Sequence, residues 1–131
     1  MGEDRSMEAE NVRALIADVM PKAIAWRRHL HQHPELSFQE VETSQFVYDQ
    51  LQAFGGIQLS RPTKTSVVGK ITGGKGPGPT LAIRADMDAL PIEEKNDFPF
   101  KSQNSGVMHA CGHDGHTAML LAAAFVLRRL R

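Results

Sequence analysis

Met108-His109-Ala110-Cys111-Gly112-His113-Asp114-Gly115-His116 runs straight into Thr117-Ala118-Met119-Leu120-Leu121-Ala122-Ala123-Ala124-Phe125-Val126-Leu127. The second stretch is apolar nearly all round, which predicts a helix buried inside a layered domain. The first places one thiol, three imidazoles and a carboxylate at the entrance to that helix. Cys111 is the only cysteine of the chain, so no internal disulfide can form. Soft sulfur beside borderline imidazole nitrogen suits zinc, nickel, cobalt or manganese-type chemistry better than calcium or magnesium. Gly112 leaves the backbone free to bend, so that Cys111 and His113 can point at a common centre, where a thiolate can bridge two cations. Taken singly, a cysteine here reads as a small core residue and a histidine as a hydrogen-bonded structural group. Several potential ligands crowded between Cys111 and His116 weigh against that reading, because burying them unpaired is costly.

Upstream of the cluster, residues 91–110 carry Pro91, Asn96, Asp97, Pro99, Ser102, Asn104, Ser105 and Gly106 and little periodicity, which predicts a long loop with chemistry at its ends. Before the loop, Arg84-Ala85-Asp86-Met87-Asp88-Ala89-Leu90-Pro91 sets two carboxylates at the C-terminal end of a predicted strand, the place where open α/β sheets put their sites. Such a carboxylate binds a metal or accepts the N–H of a ligating histidine, fixing its tautomer. A solvated turn is the alternative, and spacing alone leaves the two open. The runs 66–72 and 79–85 are β-branched and aliphatic, and Gly73-Gly74-Lys75-Gly76-Pro77-Gly78 separates them, so a hairpin-like pair is predicted.

Towards the N-terminus, Val12, Leu15, Ile16, Val19, Ile24 and Leu30 recur at helical spacing, giving one helix that is kinked or restarted at Pro21 and closed by Pro34. Ser37-Phe38-Gln39-Glu40 has the form of a capping box for a second helix. Val47, Leu51 and Phe54 form its apolar stripe and Gly55-Gly56 its stop. In His29-Leu30-His31-Gln32-His33 only His29 and His33 share a helix face, so these histidines read as structural, and Trp26 as core.

The composition is that of one soluble domain: 131 residues, 41% hydrophobic and 23% charged. Fifteen basic residues balance fifteen acidic ones, leaving no field to hold nucleic acid or an anionic membrane, so small-molecule or peptide partners are expected. The polar Met1–Ser6 segment carries no apolar signal core and no stretch is long enough to span a bilayer, which with the lone cysteine reads as cytoplasmic. Arg128-Arg129-Leu130-Arg131 ends in helical pattern without a glycine cap, and the buried helix calls for covering layers that the rest of the sequence scarcely supplies. The chain is therefore expected to be truncated, although arginines in a last turn also suit a natural stop. The glycines of residues 69–78 match neither a dinucleotide fingerprint nor a P-loop, which sets those functions aside.

Trp26-Arg27-Arg28-His29-Leu30-His31-Gln32-His33-Pro34-Glu35-Leu36-Ser37-Phe38, then Arg84 to Pro91, then Met108 to His116 form three ordered signatures. They resemble those of the metal-dependent amidohydrolases that include hippurate hydrolases, N-acyl-amino-acid deacylases and auxin-conjugate hydrolases. The resemblance runs from about Val12 to Leu127 and covers roughly the first third of such a protein. It implies an α/β fold, with residues 1–131 forming the N-terminal part of a zinc-exopeptidase-like catalytic domain whose mixed sheet is flanked by helices. Members also insert a lid-like domain, commonly used to dimerise, which is expected to lie outside residues 1–131. The resemblance further implies two divalent cations (Zn, Mn, Ni or Co), with Cys111 as bridging thiolate and His113 as ligand. Asp88 matches the strand-end carboxylate that serves the catalytic site, and Asp86 stands where related metallopeptidases have a histidine ligand, so Asp88 is the preferred residue. The remaining ligands and the glutamate general base have no counterpart in these residues. The implied reaction is hydrolysis of the amide bond of an N-acyl amino acid or peptide-like substrate, and the isolated chain is expected to be inactive, with one metal or weak binding. The rival is a non-catalytic module that binds at most one metal ion.

Overall fold

Val19, Ala23, Trp26 and Leu30 recur at steps of three and four residues, so a helix sets them on one face, and all four are buried. They belong to α1 (Gly2–Gln32) of the computed structural model, which describes the backbone of residues 2–131 and the side chains of residues 5 and 7–131. Pro21 sits inside α1 without ending it. Its ring removes one backbone hydrogen bond, but the packed face on both sides of it carries the helix through. Ile16 and Ile24, read from periodicity as part of the stripe, lie outside the core at 44% and 47% exposure.

The second helix, α2 (Val41–Phe54), buries Val47 and Leu51 as its pattern predicts. Phe54 packs on the rings of Trp26 and Phe125 at centroid distances of 5.6 and 5.4 Å. The start of α2 departs from the sequence reading. Glu40 occupies the N-cap and makes no side-chain cap bond, which leaves Ser37 too early in the chain to reach the free N–H groups of the first turn. Glu35 caps instead: its Oε1 accepts from the Thr43 N–H and Oγ1, each at 2.6 Å, and its Oε2 from the Glu42 N–H at 3.2 Å. At the other end Gly55 adopts φ 69° and returns its N–H to the Gln52 carbonyl, the stop expected of it.

Two short strands follow, β1 (Gln58–Ser60) and β2 (Val68–Lys70), paired antiparallel with Leu59 opposite Gly69. The hairpin expected between 66–72 and 79–85 does not form, because β2 takes β1 as its partner and 79–85 carries no strand. A strand exists only where its backbone groups are paired, and among the described residues this run has no ladder neighbour. Its Leu81 and Ile83 are accordingly 83% and 56% exposed. Two isolated bridges complete the pairing, Leu36 with Ala89 in parallel and Leu90 with Met108 antiparallel. They join the three signature segments at one place.

The last helix, α3 (His113–Leu130), buries Ala118, Leu121, Phe125 and Val126 in the core formed with α1 and α2. It is not covered all round as its composition suggested: Met119 and Leu127 are 61% and 45% exposed. An apolar cleft of about 770 Å³ between α1 and α3, lined by Met20, Ile24, Met119 and Leu127 among others, remains open among the described residues.

Candidate metal centre

The turn into α3 is built on Gly112, whose φ of 104° lies in the left-handed region that a Cβ disfavours. Cys111, exposed, precedes it, and His113 opens the helix after it. The His113 Nδ1 lies 2.9 Å from Asp88 Oδ1 and 3.0 Å from the Asp88 carbonyl oxygen. Both partners are acceptors, so Nδ1 carries the hydrogen and Nε2 presents a lone pair, the tautomer that a metal ligand needs. Asp88 is held in place by its neighbours: the Ala89 N–H donates to the Glu35 carbonyl at 2.8 Å, and Leu90 exchanges hydrogen bonds with Met108. Asp86 turns away and pairs with Arg84 at 2.7 Å, and only its backbone carbonyl takes part, accepting from Thr117 Oγ1. Of the two strand-end carboxylates, the fold therefore brings Asp88 to the histidine.

An exposed thiol beside an imidazole with a free Nε2 fits zinc-type ions in kind. It does not fit them in number, since among the described residues no group of three His, Cys, Asp or Glu side chains converges to hold a metal ion. A tetrahedral site on Cys111 and His113 needs further donors from outside this set.

The larger surprise lies behind the turn. His31, one of the histidines that read as structural, is 2% exposed and sits between two buried carboxylates, with Nδ1 at 2.7 Å from Asp114 Oδ2 and Nε2 at 2.8 Å from Glu94 Oε1. Arg27 Nε adds a second contact to Asp114 Oδ2 at 2.9 Å, and Asp114 Oδ1 accepts the Gly115 N–H at 2.9 Å. Burial acts most strongly on Glu94 and favours its neutral form. Hydrogen bonds from His31, the Ser102 N–H and Asn96 together outweigh it and hold the carboxyl below its usual range. Of the three histidines read as structural, His29 and His33 are the two on one helix face. Those rings do meet, at 4.7 Å, and His29 stacks on Phe46 at 4.2 Å, where burial and then His33 lower its pKa. Arg27 and His31 share a helix face at i, i+4, but nothing local in the sequence names the carboxylates that meet them.

His109 is buried with neither ring nitrogen hydrogen-bonded among the described residues. Its pKa is lowered first by burial, with the Asp114 charge acting in the opposite direction. His116 is exposed, its ring 5.9 Å from that of His113.

Comparison with known proteins agrees with the order of these motifs. The family described as Peptidase family M20/M25/M40 matches residues 82–131. The N-acyl-L-amino acid amidohydrolase of Geobacillus stearothermophilus is 62% identical over 125 residues, which cover 95% of this chain and 34% of that protein. The N-acetyl-L-cysteine deacetylase of Bacillus subtilis is 56% identical over 107 residues, covering 80% of this chain and 25% of the relative. A Bacillus subtilis crystal structure, titled as a dinuclear metal binding peptidase from the M20 family, superposes with a TM-score of 0.81 at 45% identity, over 91% of this chain and 32% of that one. The chain thus spans about a third of the length of the relatives it matches. Among the described residues no helix is long and apolar enough to cross a membrane. In its ordered motifs, its identity to these relatives and its fold, the chain is similar to members of peptidase family M20/M25/M40, over about a third of their length.

Proposed function

We propose that this chain supplies part of a metal-dependent amidohydrolase centre that cleaves the amide bond of N-acyl amino acids. The observation that carries the reading is the His113 ring fixed by Asp88 with its Nε2 free, one residue removed from the exposed Cys111 thiol. Cys111 and His113 would hold divalent cations, and Asp88 keeps the imidazole in the ligating tautomer. Such cations polarise an amide carbonyl and make a bound water acidic enough to attack it at neutral pH. Zinc, manganese, nickel and cobalt all suit the donor set. The substrate class is supported by the names of the relatives, which act on N-acyl-L-amino acids and N-acetyl-L-cysteine. A cytoplasmic location belongs to the same proposal. Alone, the chain is proposed to be inactive, because too few donors converge to complete the site.

That last observation also favours a second reading, a non-catalytic module that binds at most one metal ion. Metal content and affinity of the purified chain and its Cys111→Ala variant, followed by hydrolysis assays on N-benzoyl and N-acetyl amino acids, test both. Binding of more than one metal ion, lost in the variant, supports the part-site reading, and a single ion fits the module as well. Turnover by this chain alone overturns its proposed inactivity, and an intact chain that binds no metal overturns the ligand assignment.

A further inference from the structure

We infer that His31 is a positioning residue for the Cys111–His113 turn, acting through Asp114; the inference rests on the metal-ligand reading above. The His113 ring can meet Asp88 and still present Nε2 only if the first turn of α3 keeps a fixed rotation against the 88–90 segment. Besides the His113–Asp88 contacts themselves, one side-chain bond ties the start of α3 to that segment, from Thr117 Oγ1 to the Asp86 carbonyl. The N-cap is Gly112, which has no side chain to cap the helix, and its backbone is left-handed. The next residue after His113 supplies a further anchor. Asp114 is 2% exposed, its Oδ1 engages the Gly115 N–H of the same turn, and its Oδ2 is gripped by His31 and Arg27, both from α1. On the far side His31 meets Glu94, 3% exposed, from the loop that leads to the cluster. One ring therefore ties together the end of α1, the loop and the entrance of α3. Arg27, Asp114, His31 and Glu94 alternate donors and acceptors, so each buried charge has its partner. Buried ionic networks of this kind contribute geometry more than net stability, and a packed apolar residue of similar volume can replace their stabilising role. That difference makes the inference testable.

Two readouts on the 131-residue chain decide it. The first, on the metal-free protein, is solvent exchange of the His113 Nδ1–H in imidazole ¹⁵N spectra. The second is Cd²⁺ affinity read from the thiolate-to-metal charge-transfer band of Cys111. In His31→Phe the His113 Nδ1–H is expected to exchange rapidly and Cd²⁺ affinity to fall by roughly 10–100-fold, the usual effect of losing a residue that orients a ligand. His31→Gln, which keeps one hydrogen bond, is expected to fall between. Val19→Ala, a core truncation away from the turn, is expected to lower stability and leave both readouts unchanged. A folded His31→Phe chain with both readouts at parental values overturns the inference, as does a Val19→Ala chain that loses as much affinity as His31→Phe. Should His31→Phe fail to fold, His31→Gln decides on the same two measurements. A parent chain without a Cd²⁺ band refutes Cys111 as a ligand, while the His113 exchange rate still decides whether His31 holds the turn.

Discussion

Two glycines three residues apart make opposite predictions. At Gly112 and at Gly115 an added Cβ meets nothing within 4 Å, so neither Gly112→Ala nor Gly115→Ala introduces a clash. What separates them is the backbone. Gly112 has φ 104°, where an L residue carries a cost of about 1–2 kcal/mol. Gly115 lies within α3, where replacing glycine by alanine restricts the unfolded chain and favours the helix by about 0.5–1 kcal/mol. Unfolding in urea, followed by far-ultraviolet circular dichroism, should therefore place Gly112→Ala below the parent and Gly115→Ala above it, separated by roughly 1.5–3 kcal/mol. In thermal unfolding each kcal/mol corresponds to about 4 °C for a domain of this size. Only Gly112→Ala should also weaken Cd²⁺ binding, because relaxing its backbone swings Cys111 relative to His113. A Gly112→Ala chain as stable as the parent, or more so, would refute the reasoning: the turn would then not hold a positive φ in solution, and the geometry assigned to the centre would fail with it.

Three further outcomes follow from the packing and the charges. Glu35→Ala removes the carboxylate that caps α2 and should lower stability by about 1–2 kcal/mol, whereas Ser37→Ala, in the unused capping box, should stay within about 0.5 kcal/mol; denaturation midpoints of the pair compare the two cappers directly. Phe125→Ala, 4% exposed and in contact with the Phe54 ring, should cost about 3–5 kcal/mol, and a loss under about 1 kcal/mol by the same assay would mean that this core is not formed. Melting temperature should fall with pH in two stages. Because His29 is held below its ordinary 6.5 by burial and then by His33, the unfolded chain binds the proton first, and stability is lost as the pH falls through 6.5. Glu94, held below its ordinary 4.5, contributes in full above that value and loses its contribution as the pH falls through the lower value of the fold. His29→Gln should shrink the first stage, to which buried His109 also contributes, and Glu94→Gln the second; a profile unchanged by either variant contradicts the assignment.

Much of this architecture is written in short stretches of chain. The helical repeat through Val19, Trp26 and Leu30, the stripe Val47–Leu51–Phe54 with its glycine stop, and the Cys111-Gly112-His113 turn before an apolar helix each lie within a few residues, and their physics is local: side-chain period, allowed φ, a free N–H at a helix end. The preference for Asp88 over Asp86 rests on a motif match rather than on spacing, and only the fold shows which of the two meets His113. Other features were out of reach. Nothing in 66–72 names β1 as the partner of β2, because any extended run offers the same backbone donors and acceptors. Glu35 displaced the predicted capping box because the helix began later than Ser37 allows. His31 looked like one histidine among three, and its two carboxylates stand 63 and 83 residues away along the chain. The sequence by itself determined the three helices, most of their core positions and the pair of residues suited to a metal. Only the tertiary structure decided which strand pairs, which carboxylate caps and which imidazole is buried between charges, since those depend on groups that meet through space after the helices have packed.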